Sequence, residues 1–404
     1  MLKSIALPAA AVERIATPAL LVYLDRVRSN CELIVQRYCG GDASRWRPHV
    51  KTSKLESVYT IAAECGVRHF KCATTLEARV LATSLRELGV AGESDILVAY
   101  PLVGPSLREL GEIQREFANL PFSVVVEDTA AVADVPAPLG IFLDVNPGMD
   151  RTGMTLHVAE QGGAAAVARA AGDRFRGLHA YDGHAANWAD VDERRDAMDV
   201  VYDRVRALVE VLHADGVACG EVITSGTPSF ISALAHAGLG AMRDEVGTVH
   251  RVSPGTVMLS DARTGEQLGD VGLEPAAFVL ARCVSKPAPN RITLDAGCKA
   301  ISADAGNPIA NVVGYEASLT ALGPSEEHLP LALLDASVGE GGGADGEESA
   351  TGAARAIARG DALYLLPRHI CPSVNMFTEA ILVEEGEELR VVPVDARGHA
   401  PQRM

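Results

Sequence analysis

RPHVKTSKLE, residues 47–56, decides between two folds. Pro48, His49 and Val50 read as a short strand, the chain then turns polar at Lys51, and a helix-like stretch, KLESVYTIAAECG, follows at 54–66. A strand that feeds a helix suits either an open doubly wound sheet or a closed barrel. The open sheet calls for a glycine-rich loop at its first turn. KTSKLE contains no glycine, so the closed barrel is the better reading.

Working outward, the same unit recurs. HFKCAT (69–74), DILVAY (95–100), FSVVVED (122–128), GIFLDV (140–145), FRGLHAY (175–181), EVITSG (221–226) and RDEVGTV (243–249) are strand-like runs. Between them lie helix-like stretches such as TLEARVLATSLRELG and DERRDAMDVVYDRVRALVEVLHADG, which begin near Ser, Thr or Asp and end at Gly, as capped helices do. With RPHVK this makes eight strands alternating with helices, the count of a (β/α)8 TIM-type barrel. ALLVYLD (19–25) is one more strand, open to joining the barrel. Beyond about residue 256 the pattern becomes hairpin-like, as in AAFVLARCVSKPAPNRITLDAG and TEAILVEEGEELRVVPVDARG. The expected fold class is therefore α/β, with a barrel over 26–256 and a second, mostly β domain over 257–404 that also takes in about 1–25. SVGEGGGADGEESATGAARA (337–356) has too little apolar content to pack and reads as a mobile loop.

Composition removes several classes of function. The 404 residues carry 36 Lys and Arg against 53 Asp and Glu, a net charge of -17. Such a chain repels nucleic acid and anionic membranes. Pro8, Glu13 and Arg14 interrupt the N-terminal apolar residues, so neither a signal peptide nor a membrane span is expected. The eight cysteines form no CxxC pair, which suits a reducing cytoplasm.

A barrel keeps its chemistry at the C-terminal ends of its strands. Lys51 ends the first strand and should sit at the edge of the core. Asp144 and the loop NPGMDRTGM follow the fifth, Tyr181, Asp182 and His184 the sixth, and SGTPS the seventh. Ser225, Gly226 and Thr227 make a small-residue turn at a helix start, a natural phosphate cradle. A desolvated lysine facing a phosphate site suggests a Schiff base to a phosphorylated aldehyde. Pyridoxal 5′-phosphate, whose ring is an electron sink, is that aldehyde. Lys54, one turn on, is expected as an ordinary exposed lysine at the start of a helix. Further along, His369 and Cys371 stand two apart in PRHICPSVN, and on a strand they would face the same way. Taken alone, the pair is better read as a core cysteine beside a polar histidine.

RPHVKTSK, DVNPGMDRTGM, GLHAYDGH, SGTPSF, SPGT, LDAGCKAIS and PRHICPSVN run in that order from residue 47 to 375. In this the chain resembles the fold-type III pyridoxal-phosphate family of D-threonine aldolase and eukaryotic-type D-serine dehydratase, related to the N-terminal barrel of alanine racemase. The resemblance implies a homodimeric enzyme of amino-acid metabolism. Lys51 would carry the cofactor covalently, Arg151 would contact its ring or phenolic oxygen, and Tyr181 would lie beside it. Ser225, Gly226 and Thr227 would bind its phosphate. Lys51 and His184 are the expected catalytic residues. The resemblance also turns His369 and Cys371 into metal ligands, and a thiolate with an imidazole prefers zinc; an aldolase would use manganese or magnesium. Cys371 favours a D-serine dehydratase-like lyase that eliminates the β-hydroxyl of a D-3-hydroxy amino acid. Retro-aldol cleavage to glycine and an aldehyde is the alternative. A non-enzymatic pyridoxal-phosphate-binding protein fits less well, because such proteins stop after the barrel. A racemase needs an opposing tyrosine, and SPGTVMLSD offers Val257.

Overall fold

The computed structural model describes residues 5–334, 352, 354 and 356–399, so the loop expected over 337–356 lies almost wholly outside the described residues. The chain divides into two compact units. One takes in Arg28–Met258 and Gln267–Gly272; the other takes in the chain up to Val27, Leu259–Glu266 and Leu273–Arg397.

Strands are numbered along the chain, with β1 at Ala19–Tyr23. The first unit is built on a parallel sheet of β2 (His69–Cys72), β3 (Asp95–Val98), β4 (Phe122–Val126), β5 (Gly140–Asn146), β7 (Phe175–Ala180), β8 (Glu221–Thr224) and β9 (Val249–Val252), in that order. A two-residue strand, β6 (Met154–Thr155), pairs beside β5. The sheet curls until its two edges meet residues 46–49. Trp46 bridges to Val252 of β9 and His49 bridges to Lys71 of β2, both parallel. This closes an eight-stave barrel. Pro48 has no N–H to give to a ladder, and side chains stitch the seam instead. The Trp46 indole donates to Pro254 O (3.0 Å), the Ser253 hydroxyl to Arg47 O (2.8 Å), and the Arg47 guanidinium to Phe70 O (3.1 Å).

Three local expectations change. RDEVGTV is not the eighth strand. Residues 237–246 are helical, Gly247 ends that helix in the left-handed conformation at φ 71°, and the strand is β9. Residues 50–52 form a 3-10 turn rather than the end of a strand, and Lys51 is exposed on it rather than held at the core edge. Lys54 is not an exposed helix-start residue. It is buried at φ 52°, its ammonium donates to Glu77 Oε1 (2.5 Å), and the helix begins only at Glu56.

The barrel interior is polar at both ends and apolar between. Leu97, Val125, Phe142 and Ile223 pack as one cluster. At the strand starts, Arg47 donates to both oxygens of Glu221 (2.6 and 2.7 Å) and to Asp95 (2.5 Å). Arg251 also reaches Glu221 (2.7 Å), and His69 pairs with Asp95.

The second unit is a mostly antiparallel sheet. It comprises β10 (Ala277–Ala288), β11 (Arg291–Leu294), β12 (Ala310–Val312), β13 (Leu319–Ala321), β14 (Leu329–Leu333), β15 (Ala362–Pro367), β16 (Glu379–Val383) and β17 (Arg390–Pro393). Its order is β13-β14-β11-β10-β1-β16-β17, with β15 against β10 and β12. ALLVYLD therefore joins this sheet as β1, between β10 and β16, and not the barrel. Among the described residues no helix is long and apolar enough to cross a membrane.

Candidate active site

The exits of the barrel strands carry the polar residues. The loop after β5 is set by its own asparagine: Asn146 Oδ1 accepts from the N–H groups of Gly148 and Asp150 (3.0 Å each), and its amide donates to Asp150 (2.9 Å). Thr152 donates to Asp144 Oδ2 (2.8 Å). At Gly153 (φ 95°) a Cβ would fall 2.9 Å from Asp144 O, so this turn requires glycine. The loop presents Arg151, exposed, with its guanidinium carbon 5.1 Å from the centre of the Tyr181 ring.

Tyr181 leaves β7 and is boxed in by glycines. A Cβ on Gly183 would lie 2.5 Å from its ring, and one on Gly226 would lie 3.1 Å from it. Those two residues let the ring lie flat against the chain. His184 packs on Gly148 of the Arg151 loop, where a Cβ would stand 3.2 Å from its Nε2, and its buried Nδ1 has no partner among the described residues.

Below Tyr181 is Asp182, 1% exposed. Its carboxylate accepts from the Tyr202 hydroxyl (2.5 Å), the Ser229 hydroxyl (2.9 Å) and the Gly226 N–H (3.2 Å). Burial raises the pKa of Asp182, and these donors pull against the rise. The three bonds hold the turn over residues 225–229 in place. Ser225 is fully buried at φ 62°, and its hydroxyl has no partner among the described residues. Thr227 is half-buried in that turn, three residues ahead of the short helix Phe230–Ala235, rather than at a helix start.

The lysine with the properties expected of Lys51 is Lys71, one residue before the end of β2. It is 2% exposed. Its ammonium lies 3.4 Å from His179 Nε2 and 5.5 Å from the Tyr181 ring centre. His179 Nδ1 in turn donates to Asp144 Oδ1 (2.7 Å). Burial pulls the pKa of Lys71 down to about 7, and the charges of Lys51 and Arg47 add to the fall. Burial lowers His179 too, with Lys71 next. Burial pushes the Asp144 carboxyl up, but the His179 bond and charge outweigh it and leave Asp144 below its ordinary value. HFKCAT reads as a strand, and its lysine was as anomalous there as Lys51 in RPHVKTSK; that was the available signal.

These residues fit a phosphorylated pyridine aldehyde. Ser225 offers a buried hydroxyl in need of a partner, Gly226 leaves space against Tyr181, and Tyr181 offers an aromatic face. The barrel therefore brings Tyr181, Arg151, Ser225 and Gly226 together with Lys71, and sets Lys51 on the adjoining turn.

In the other unit, His369 and Cys371 are not on a strand. β15 ends at Pro367, His369 caps the short helix Ile370–Val374, and Cys371 lies in its first turn. The two side chains still meet. Burial lowers the His369 pKa, but a hydrogen bond and the charge of Cys371, then Asp304, outweigh it and raise the value to about 9. Asp304 Oδ2 takes His369 Nδ1 (2.7 Å), which leaves Nε2 as the ring atom for a metal, the usual arrangement of a carboxylate behind a ligating histidine. Asp304 is a residue the sequence reading missed. Among the described residues no cluster of three or more His, Cys, Asp or Glu side chains is gathered for a metal.

Comparison with known proteins gives two family matches. The model of the alanine racemase N-terminal domain matches residues 22–257, and that of a serine dehydratase domain matches residues 276–383. D-threonine aldolase of Arthrobacter is 26% identical, covering 98% of this chain and 98% of its own. D-threo-3-hydroxyaspartate dehydratase of Delftia is 25% identical, covering 89% of this chain and 92% of its own. The crystal structure of D-threonine aldolase from Filomicrobium marinum superposes with a TM-score of 0.76 at 24% identity, over 95% of this chain and 96% of that one.

Proposed function

The chain belongs to the alanine racemase N-terminal domain family, and from that premise we propose that it is a pyridoxal-phosphate- and zinc-dependent lyase that eliminates the β-hydroxyl of a D-3-hydroxy amino acid. When bound, the cofactor would draw electrons from Cα of the substrate. When bound, zinc would make the β-hydroxyl a better leaving group. Lys51, on an exposed turn, would carry the cofactor and move a proton at Cα. Arg151 and Tyr181 would orient the cofactor ring, and Ser225, Gly226 and Thr227 would hold its phosphate. His184, whose buried Nδ1 has no partner among the described residues, would exchange protons beside them. His369 and Cys371 would hold the metal, and Asp304 would orient the imidazole. The balance is the loss of the Cα proton and hydroxide, then uptake of water as the enamine becomes a keto acid and ammonia. Two subunits would form the working enzyme.

The observation that carries elimination over cleavage is the thiol of Cys371 beside His369, a borderline-soft pair suited to zinc. The second reading, retro-aldol cleavage, draws support from the aldolases among the relatives. The test is a panel of D- and L-3-hydroxy amino acids given to the purified holoenzyme. Keto acid with ammonia from D-substrates is expected, lost on chelation and restored by zinc better than by magnesium or manganese. Glycine and an aldehyde without keto acid would replace the proposal by the aldolase reading.

A further inference from the structure

The turn over residues 225–229 is poorer in free anion donors than its small residues suggest. The Gly226 N–H is spent on Asp182 (3.2 Å), those of Ser229 and Phe230 both go to Gly226 O (3.3 and 3.1 Å), and Pro228 has none. Of the turn's groups, the Thr227 N–H and the buried Ser225 hydroxyl have no partner among the described residues. Asp182, which pins the turn, also brings a carboxylate close to it. A cation grips the same turn. Arg194, 3% exposed near the start of the helix Val191–Ala214, donates to Pro228 O (3.1 Å). The same guanidinium donates to Gln267 O (2.8 Å), Trp188 O (2.9 and 3.1 Å) and Ala189 O (3.2 Å). These are all neutral carbonyls. Burial lowers the Arg194 pKa, and the charge of Asp190 offsets that only in part. Arg47, by contrast, is raised by the acids that contact it. A guanidinium stays charged at any ordinary pH. The turn is therefore held by a buried, permanent positive charge that no carboxylate contacts among the described residues.

We propose that Arg194 is a positioning residue for the 225–229 turn that also sets its ligand class: it holds Pro228 by a hydrogen bond, and its uncompensated charge makes the turn select a phosphorylated ligand over the same ligand without phosphate. The inference rests on the reading of this turn as the phosphate site. A phosphate monoester brings about two negative charges. The Asp182 carboxylate opposes them, and the Arg194 charge offsets that opposition. A buried charge is screened little by water or salt, so Arg194 acts on the ligand without touching it. Its two roles separate in a measurement. Holding the shape of the turn serves any ring that lies against Tyr181, whereas the charge serves only a ligand that carries the anion.

The test uses full-length protein freed of cofactor. Affinities are measured by equilibrium dialysis at low salt for pyridoxal 5′-phosphate and for pyridoxal, which keeps the ring and aldehyde but lacks the phosphate. Their ratio is compared between variants, alongside the melting temperature. Arg194→Gln, which keeps an amide donor but no charge, should cut the ratio about tenfold or more. Arg194→Lys keeps the charge and loses the planar fork, so it should hold the ratio near the parent's while lowering the melting temperature. Equal losses for both ligands in Arg194→Gln would reduce Arg194 to a strut. A ratio that falls as far in Arg194→Lys as in Arg194→Gln would rule out the charge. Either result overturns the proposal and leaves the turn as the phosphate site. Should the Arg194 variants not fold, Asp190→Asn carries the test. It retains an oxygen for the N–H groups of Asp192 and Glu193 that Asp190 accepts (2.9 Å each), and removes the anion whose charge acts on Arg194. The ratio should then rise, and an unmoved or lower ratio overturns the proposal. A parent protein with no preference for the phosphorylated ligand overturns the phosphate reading of the turn and the proposal with it.

Discussion

The barrel buries charge at both ends and treats it in opposite ways. At the strand starts, Arg47 and Arg251 face Glu221 and Asp95, every charge with an opposite charge within 3 Å. Those partners outweigh burial and raise the Arg47 pKa, and they hold Asp95 far below its ordinary value although burial alone would lift it. At the strand exits, the Lys71 ammonium has an imidazole at 3.4 Å, and burial with the charges of Lys51 and Arg47 outweighs the carboxylates of Asp144 and Asp182. A compensated cluster has nothing to gain by changing protonation and serves the architecture. An under-compensated one sits near its own titration point, which is the condition for proton chemistry at neutral pH.

The largest effect that could break this contrast lies at the strand starts. Arg47→Leu leaves Glu221 and Asp95 without their shared cation and should cost about 3–5 kcal/mol in urea unfolding. A loss under about 1 kcal/mol would show that the cluster is no better compensated than the other. Next is the pH dependence of stability. The folded-state pKa of Lys71 is near 7, below the ~10.4 of the unfolded chain. Between those values the unfolded chain holds a proton that the folded chain lacks, so stability rises with pH, by at most about 1.4 kcal/mol per unit. Below pH 7 the penalty is present in full. Lys71→Met should flatten that slope in unfolding curves taken from pH 7 to 9.5, whereas Arg47→Leu, which removes one of the smaller causes of the Lys71 shift, should weaken it without abolishing it. Equal slopes in parent and Lys71→Met would erase the distinction. The smallest effect sharpens it. Asp182→Asn keeps the shape of the turn over residues 225–229 but disturbs three hydrogen bonds, and should weaken pyridoxal phosphate binding about tenfold, worth about 1–2 kcal/mol. Unchanged affinity, measured by equilibrium dialysis, would free that turn from any phosphate role.

The alternation of strands and helices was legible because each unit of it is local: Thr74 caps the helix Thr75–Glu87, and Asp190 caps Val191–Ala214. RDEVGTV failed because β-branched residues outweighed Gly247, whose left-handed conformation marks a helix end. The Arg151 loop and the 225–227 turn were legible because small residues and an asparagine at fixed offsets announce a turn. Lys71 was legible only as an anomalous lysine in a strand, and His179 not at all. In a parallel barrel both faces of a strand are covered, so a polar residue within it carries no sign of whether it points to a helix or to the interior. The Arg47 cluster was hidden for another reason. Its members come from different staves, with the bonded pair Arg47 and Glu221 174 residues apart, and each alone is an ordinary charged residue near a strand edge.

The seam at residues 46–49 has a kinetic meaning. Seven staves are joined by continuous backbone ladders, but the stave that leads to Lys51 is held by two bridges and a few side-chain bonds. A ladder opens only when many bonds break together; a stitched edge can part a bond at a time. Amide hydrogens along residues 46–49 should therefore exchange with solvent sooner than those of β4 or β5. The barrel would breathe along the one line where the Lys51 turn is attached, and a molecule bonded across that line would act as its clasp.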